Sequence, residues 1–146
     1  MKFTEILNLF KQGKSSAKSH MKNLIEMAAA DGSLDDIEYR FLQDLAKKNG
    51  ISNSQLKAIR DSPDSVPFEV PDDKLERFAQ LYDLVHMMVI DKQVHREEQK
   101  LCNLFAIKFG YPRERVDEII STIASNIENG NDHEDTLQRV EWMLIT

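Results

Sequence analysis

The sequence contains few of the residues that crosslink a chain or interrupt a helix. Its 146 residues include one cysteine, four prolines and five glycines. The lone Cys102 excludes an internal disulfide, and its apolar surroundings favour a buried, inert thiol over a nucleophile. Alternating runs of Val, Ile and Thr are absent, whereas Leu, Met, Ala, Glu, Lys and Gln are abundant. This composition predicts an all-α fold.

Long apolar runs are also missing. No segment is long and apolar enough to span a membrane, and the N-terminus lacks the apolar core of a signal peptide. We therefore expect a cytoplasmic protein without a transmembrane segment. A chain of this length buries roughly 70% of its unfolded surface, which suits a single domain over residues 1–146.

Acidic residues outnumber basic ones, but unevenly. The formal net charge is −6, yet residues 1–24 carry five lysines and one glutamate, so the remainder carries −10. The acidic body argues against a nucleic-acid partner and favours cations or basic partners, unless it serves solubility alone. Near the N-terminal lysines, Phe3, Ile6, Leu7 and Phe10 form an amphipathic stripe. The stripe either packs on the domain or contacts a partner or a membrane surface peripherally.

Helical periodicity, caps and breakers predict about eight helices in one compact bundle. We expect helices over 2–11, 16–30, 35–49, 72–90 and 95–109, with further helices starting near Ser52, Pro112 and Asp132. Three prolines exclude a helix through 62–71, which becomes a connector. The expected organisation is a leading amphipathic helix and basic linker (1–14), a first repeat (17–61), the connector (62–71), a second repeat (72–129) and a closing helix (132–146).

A period of 60 positions underlies this division into repeats. Leu24–Gly50 aligns with Leu84–Gly110, and identical residues recur at Leu24/Leu84, Met27/Met87, Asp31/Asp91, Glu38/Glu98, Ala46/Ala106, Lys48/Lys108 and Gly50/Gly110. Such a period indicates one supersecondary unit used twice. The fold class we predict is therefore all-α, a helical bundle built from two pseudo-symmetric repeats.

The repeated acids suggest a metal site. Asp31 and Glu38 are seven residues apart, as are Asp91 and Glu98, and a tight turn within each pair would bring the two carboxylates together. If the repeats pair about a pseudo-twofold axis, four carboxylates converge, which suits Ca²⁺, Mg²⁺ or Mn²⁺. Asp35 and His95, at equivalent positions in the two turns, are second-tier candidates.

The same acids have a purely structural interpretation. Glu38 completes a capping-box spacing with Asp35, and Asp31 is suited to fixing an Asp-Gly turn through its own backbone. Both roles would recur wherever the unit recurs. The second turn also carries Lys92 in place of Gly32, which adds a positive charge there.

Other functional motifs are not found. The EF-hand loop is missing, the Glu-x-x-His pairs of di-iron bundles are unmatched, and one cysteine with four scattered histidines serves zinc poorly. His86 lies among apolar residues and is predicted to be a hydrogen-bonded core histidine. Neither a Gly-rich phosphate loop nor a nucleophile elbow is present, so the sequence predicts a protein that is not an enzyme.

One family shares this pattern. The stretch Ala29-Ala30-Asp31-Gly32-Ser33-Leu34-Asp35-Asp36-Ile37-Glu38, then Leu45-Ala46 and Gly50, with a second copy at Asp91, Val94, Glu98, Ala106 and Gly110, resembles the TerB-like family, named for tellurite-resistance protein B. The resemblance covers about residues 17–125. It implies an all-helical bacterial domain with internal pseudo-symmetry, acidic residues that chelate a divalent metal, and a role in tellurite and other stress responses beside membrane-associated partners. By position, the implied ligands are Asp31, Glu38, Asp91 and Glu98. Asp91-Lys92 and His95 depart from the pattern in the second copy.

Two main hypotheses follow. The first is a cation-binding stress-response module. The second is a metal-independent scaffold that binds a protein partner through the N-terminal stripe or the Phe68–Val70 loop. A metal-dependent hydrolase is a weaker third, since no base can be identified. The sequence leaves the oligomeric state open.

Overall fold

The computed structural model describes the backbone of residues 3–30, 36–90 and 96–145, and side chains from residue 16 onward within these ranges. In these ranges the chain forms seven α-helices and no β-strand. The helices are α1 (Phe3–Ala28), α2 (Asp36–Lys48), α3 (Asn53–Asp61), α4 (Lys74–Val89), α5 (Arg96–Lys108), α6 (Val116–Glu128) and α7 (His133–Ile145), with short 3-10 helices at Pro63–Ser65 and Arg113–Arg115. The all-α bundle is confirmed.

The predicted break near Gly13 does not occur. The helices expected over 2–11 and 16–30 form one continuous helix, α1, so the separate leading helix and linker over 1–14 were wrong. A glycine inside a helix costs about 1 kcal/mol relative to alanine. Ending one helix and starting another instead leaves several backbone N–H and C=O groups without helical partners at the new ends. The continuous helix avoids those losses.

Other helices begin and end at residues that favour caps and turns. Ser52 and Gln55 form a reciprocal capping box at α3, and the Asp73 side chain accepts a hydrogen bond from the Leu75 N–H at the start of α4. Gly50 and Gly110 adopt φ values of 73° and 97° after α2 and α5. The next residue in each case donates its N–H back to the helix, to the carbonyls of Ala46 and Ala106. These are Schellman endings, which need a left-handed residue.

The core lies between α1 and α4, which pack against each other, while α2 and α3 cover α1, and α5 and α6 cover α4. The helix α7 packs on α6 at the end of the chain. Leu24 and Met27 on α1 and their equivalents Leu84 and Met87 on α4 are essentially inaccessible to solvent. The buried apolar side chains form one contiguous cluster.

The connector 62–71 is fixed along the α1 surface. The Lys22 ammonium donates a hydrogen bond to the Val66 carbonyl at 2.8 Å, and the Ser19 hydroxyl accepts one from the Glu69 N–H at 2.8 Å. Phe68 stacks on Phe105 and Phe109, with ring centroids 6.3 and 6.2 Å away. Val70 also packs on the core, and Phe68 keeps part of its ring in solvent.

No helix in the part of the chain that the structure describes is both long and apolar enough to cross a lipid bilayer.

Candidate functional site

The structure describes two of the predicted metal ligands, Glu38 and Glu98, and both are buried. Glu38 is the third residue of α2, and Glu98 is the third residue of α5. Glu38 keeps 3% of its surface exposed and Glu98 keeps 2%. The preceding residues Ile37 and Glu97 are exposed, so burial is confined to one face of the first turn. The two helices have equal length, and their bounds lie 60 positions apart.

A buried carboxylate is unusual because removing an ionised group from water is costly unless it is paired or hydrogen-bonded. The first turn of a helix supplies part of the compensation, since its free N–H groups and the helix dipole favour negative charge. Both Glu38 and Glu98 do have interaction partners within the protein. Their placement fits a capping role as well as a ligand role.

The remaining predicted ligands fall in two turns outside the described residues. Asp31 and Asp35 belong to the stretch 31–35, and Asp91 and His95 belong to 91–95. The convergence of four carboxylates therefore stays a prediction. Among the residues that the structure does describe, no three or more His, Cys, Asp or Glu side chains lie together as a metal-binding group.

Cys102 lies one turn after Glu98 and is fully buried. Burial, with a smaller contribution from the nearby Glu98 carboxylate, raises the pKa of its thiol to about 12. A thiol with this pKa is not a nucleophile at neutral pH, because the thiolate is the reactive form.

Sequence analysis did not foresee a polar stripe inside the α1/α4 interface. We call it the α1/α4 seam, and it consists of Ser16, His20 and Asn23 on α1 with Gln80 and Asp83 on α4. His20 Nε2 lies 2.9 Å from Asp83 Oδ2, and Gln80 Nε2 donates a hydrogen bond to Ser16 Oγ at 3.0 Å. The available signal was the helical spacing of Ser16, His20 and Asn23 on the same side as the apolar residues of α1.

Three atoms of the seam are buried without a hydrogen-bond partner among the described residues. They are His20 Nδ1, Asn23 Nδ2 and Gln80 Oε1. Buried polar atoms of this kind are rare in folded proteins, and each loses hydration without a replacement. These unpaired atoms therefore lower the stability that the α1/α4 interface contributes.

His86, the predicted core histidine, is half-buried on α4. Its ring lies 4.5 Å from Phe41 on α2 and 6.3 Å from Tyr82, edge-on to both. Burial lowers the pKa of His86; the Asp83 charge opposes this shift, and Lys48 adds to it. A neutral imidazole packed against aromatic rings joins α2 to α4.

Comparison with protein-family models, curated proteins and solved structures finds no match for this chain. The resemblance to TerB-like proteins therefore depends on the repeated motif alone.

Proposed function

We propose that this protein is a non-enzymatic helical module that binds a divalent cation at its two acidic turns. Glu38 and Glu98 would be ligands from the first turns of α2 and α5, with Asp31 and Asp91 from the turns themselves. Asp35 and His95 are further candidates. The observation that carries the proposal is the burial of both glutamates at equivalent positions.

Oxygen-rich sites of this kind suit Ca²⁺, Mg²⁺ or Mn²⁺. A cation between the turns would offset the repulsion among acids that follow the C-terminal ends of α1 and α4, where the helix dipole disfavours negative charge. A capping role explains why each glutamate sits at the third helical position. It does not by itself require burial of the carboxylate.

The proposal includes a pseudo-twofold arrangement of the two repeats. Under the 60-position shift, His20 is equivalent to Gln80 and Asn23 is equivalent to Asp83. Because a twofold contact recurs with its partners exchanged, the His20–Asp83 bond predicts that Asn23 faces Gln80. Asn23 Nδ2 and Gln80 Oε1 are a donor and an acceptor, but both are buried without a hydrogen-bond partner among the described residues, so no hydrogen bond joins them in the structure.

The test is calorimetric titration of chelator-treated protein with Ca²⁺, Mg²⁺ and Mn²⁺. We expect Glu38→Gln and Glu98→Gln to weaken binding by about tenfold or more, since each removes a charged ligand. Glutamine preserves a capping interaction at this position, so the unfolding free energy without metal should change little. Asp31→Asn/Glu38→Gln and Asp91→Asn/Glu98→Gln then identify the repeat that holds the ion.

Asp36→Asn and Glu97→Gln are matched controls, because they neutralise exposed carboxylates in the same two helical turns. They should leave affinity within about twofold. If no ion produces heat or raises the melting temperature of the wild-type protein, the buried glutamates are capping residues and the proposal fails.

The cellular role we propose is in bacterial stress response of the tellurite-resistance type, together with a protein partner in the cytoplasm. It is supported by the TerB-like motif. Expression of the wild-type protein in a tellurite-sensitive bacterium should raise tolerance, and Glu38→Gln/Glu98→Gln should abolish that gain. Equal tolerance with both proteins would separate the role from the cation.

A metal-independent interaction scaffold is the second candidate, favoured by exposed apolar residues on α7. Trp142 and Ile145 keep 66% and 84% of their surface accessible. Exposed large apolar residues close together are typical of interaction surfaces. The N-terminal stripe, also a candidate for peripheral membrane contact, has side chains outside the described residues. Partner binding that persists in chelator and is lost in Trp142→Ser/Ile145→Ser would favour this function.

A further inference from the structure

A groove separates the first half of α4 from α7, and residues 109–112 also line it. Its volume is about 350 Å³. The apolar side chains that line it are Phe78, Phe109, Leu137, Val140 and Leu144. Phe78, Phe109 and Val140 are buried, whereas Leu137 and Leu144 are partly accessible to solvent. This volume and lining fall within the range of sites that bind small molecules.

The charged residues of the groove do not balance. Among the residues that the structure describes, Lys74, Arg77 and Glu141 are the charged side chains that line it, which gives one excess positive charge on a protein of net charge −6. Lys74 Nζ lies 3.9 Å from Glu141 Oε1, in a solvent-exposed pair. Among the described residues that line the groove, Arg77 is therefore the cation without a carboxylate partner.

Arg77 is also held in place. Its Nη1 donates hydrogen bonds to the carbonyls of Pro71 and Asp72 at 3.1 and 3.2 Å. A guanidinium has five N–H donors, and the hydrogen bonds of Arg77 to described residues use Nη1, which leaves Nε and Nη2 for a ligand. Neutral carbonyls orient the group without cancelling its charge.

A second donor stands beside Arg77. The pKa of the Tyr111 hydroxyl is raised to about 12, and burial is the main cause. The Arg77 charge opposes this shift, and the Glu141 charge adds to it. The phenol thus stays protonated and can donate a hydrogen bond at neutral pH. The oriented guanidinium and the phenol, next to the apolar part of the groove, make it suited to an amphipathic ligand.

We propose that the groove binds a small amphipathic monocarboxylate, such as a medium-chain fatty acid, with its carboxylate at Arg77 and Tyr111 and its apolar tail along Leu137 and Leu144. Arginine matches a carboxylate in planar, two-point geometry. One excess positive charge suits a monoanion better than a phosphate dianion. The inference does not depend on the proposed cation site.

The probe is octanoate, titrated below its micellar concentration in the presence of chelator and followed by calorimetry and amide chemical shifts. Octanol supplies the tail without the charge, acetate the charge without the tail, and inorganic phosphate a different anion. We expect octanoate to bind about tenfold or more tightly than each of these. The largest shifts should fall in residues 109–112 and on α7.

Three variants test the residues. Arg77→Met removes the cation, Tyr111→Phe removes the second donor, and Leu144→Trp fills the groove from its exposed edge. We expect each to weaken octanoate binding by about fivefold or more, whereas Arg40→Gln, an exposed arginine on α2, stays within about twofold. Because Arg77 also anchors the connector, Leu144→Trp keeps the test valid if Arg77→Met unfolds.

Octanoate binding no tighter than octanol binding would overturn the proposal, as would tighter binding of phosphate. Shifts confined to other surfaces, or unchanged affinity in Leu144→Trp, would also refute it. Because the titration contains chelator, none of these results bears on the cation site.

Discussion

The His20–Asp83 pair gives the sharpest test of the α1/α4 seam. The His20 side chain is 2% exposed, whereas that of Asp83 is 23% exposed. The two partners should therefore respond unequally to the loss of the other. Leucine is the perturbation of choice at position 20 because its volume is close to that of histidine, so that a cavity contributes little.

Asp83→Leu leaves both imidazole nitrogens buried without a partner, since Nδ1 already lacks one among the described residues. A hydrogen bond to a charged group contributes about 1.5–3 kcal/mol, and an unsatisfied buried group costs about 1–3 kcal/mol. We expect Asp83→Leu to lower the unfolding free energy by about 3 kcal/mol. His20→Leu should lower it by about 1.5 kcal/mol, because water can reach Asp83.

The double variant His20→Leu/Asp83→Leu tests whether the two losses are coupled. Replacing both partners with apolar side chains removes the unpaired groups together, so the loss should be about 1–2 kcal/mol rather than the sum of the singles. Urea unfolding followed by circular dichroism measures all four proteins, provided the denaturant slope is unchanged. Asp83→Asn keeps an acceptor and serves as the conservative control.

Additive single effects, within about 0.5 kcal/mol, would refute this reasoning. Such a result would mean that His20 and Asp83 are each solvated independently in the folded protein. Equal losses in the two single variants would likewise contradict the difference in their exposure.

Further predictions concern the glycine turns and the buried thiol. Gly50→Ala and Gly110→Ala should each lower the unfolding free energy by about 1–2 kcal/mol, because both glycines have a positive φ. An added Cβ would meet no atom within 4 Å, so a steric clash adds nothing to this loss. A much larger drop in melting temperature for either variant would contradict this explanation. Cys102 should be inert to a thiol-specific reagent at pH 8 in the folded protein and reactive in urea; equal rates in both states would exclude the burial described. Since the pKa of Cys102 is raised from 9.0 to about 12 by folding, the stability that it contributes is present below pH 9 and is lost as the pH rises towards 12; the variant Cys102→Ala should show a smaller decline over that interval.

Local sequence signals predicted most of the helices and their ends. Ser52 and Asp73 carry side-chain acceptors, and Gly50 and Gly110 tolerate the left-handed conformation, so these boundaries depend on residues a few positions apart. The prediction failed at Gly13, where the local penalty of one glycine is smaller than the loss incurred by two new helix ends. A breaker residue alone does not reveal which cost is larger.

The candidate site could be predicted in part, because its glutamates also belong to a pattern along the chain. The 60-position repeat singled out Glu38 and Glu98, and the structure shows that both are buried. The repeat alone could not show that these glutamates are buried, because a glutamate in the first turn of a helix can equally be an exposed cap. The remaining ligands, in residues 31–35 and 91–95, stay a prediction.

The sequence by itself determined the all-helical class, the period of 60 residues and the apolar faces of α1 and α4, because these depend on spacing along the chain. Tertiary structure decided that His20 meets Asp83 across 63 positions, and that Arg77, Tyr111 and Leu144 border one groove. Such contacts depend on how α4 lies against α1 and α7. Packing of the whole core sets that arrangement, and no local pattern encodes it.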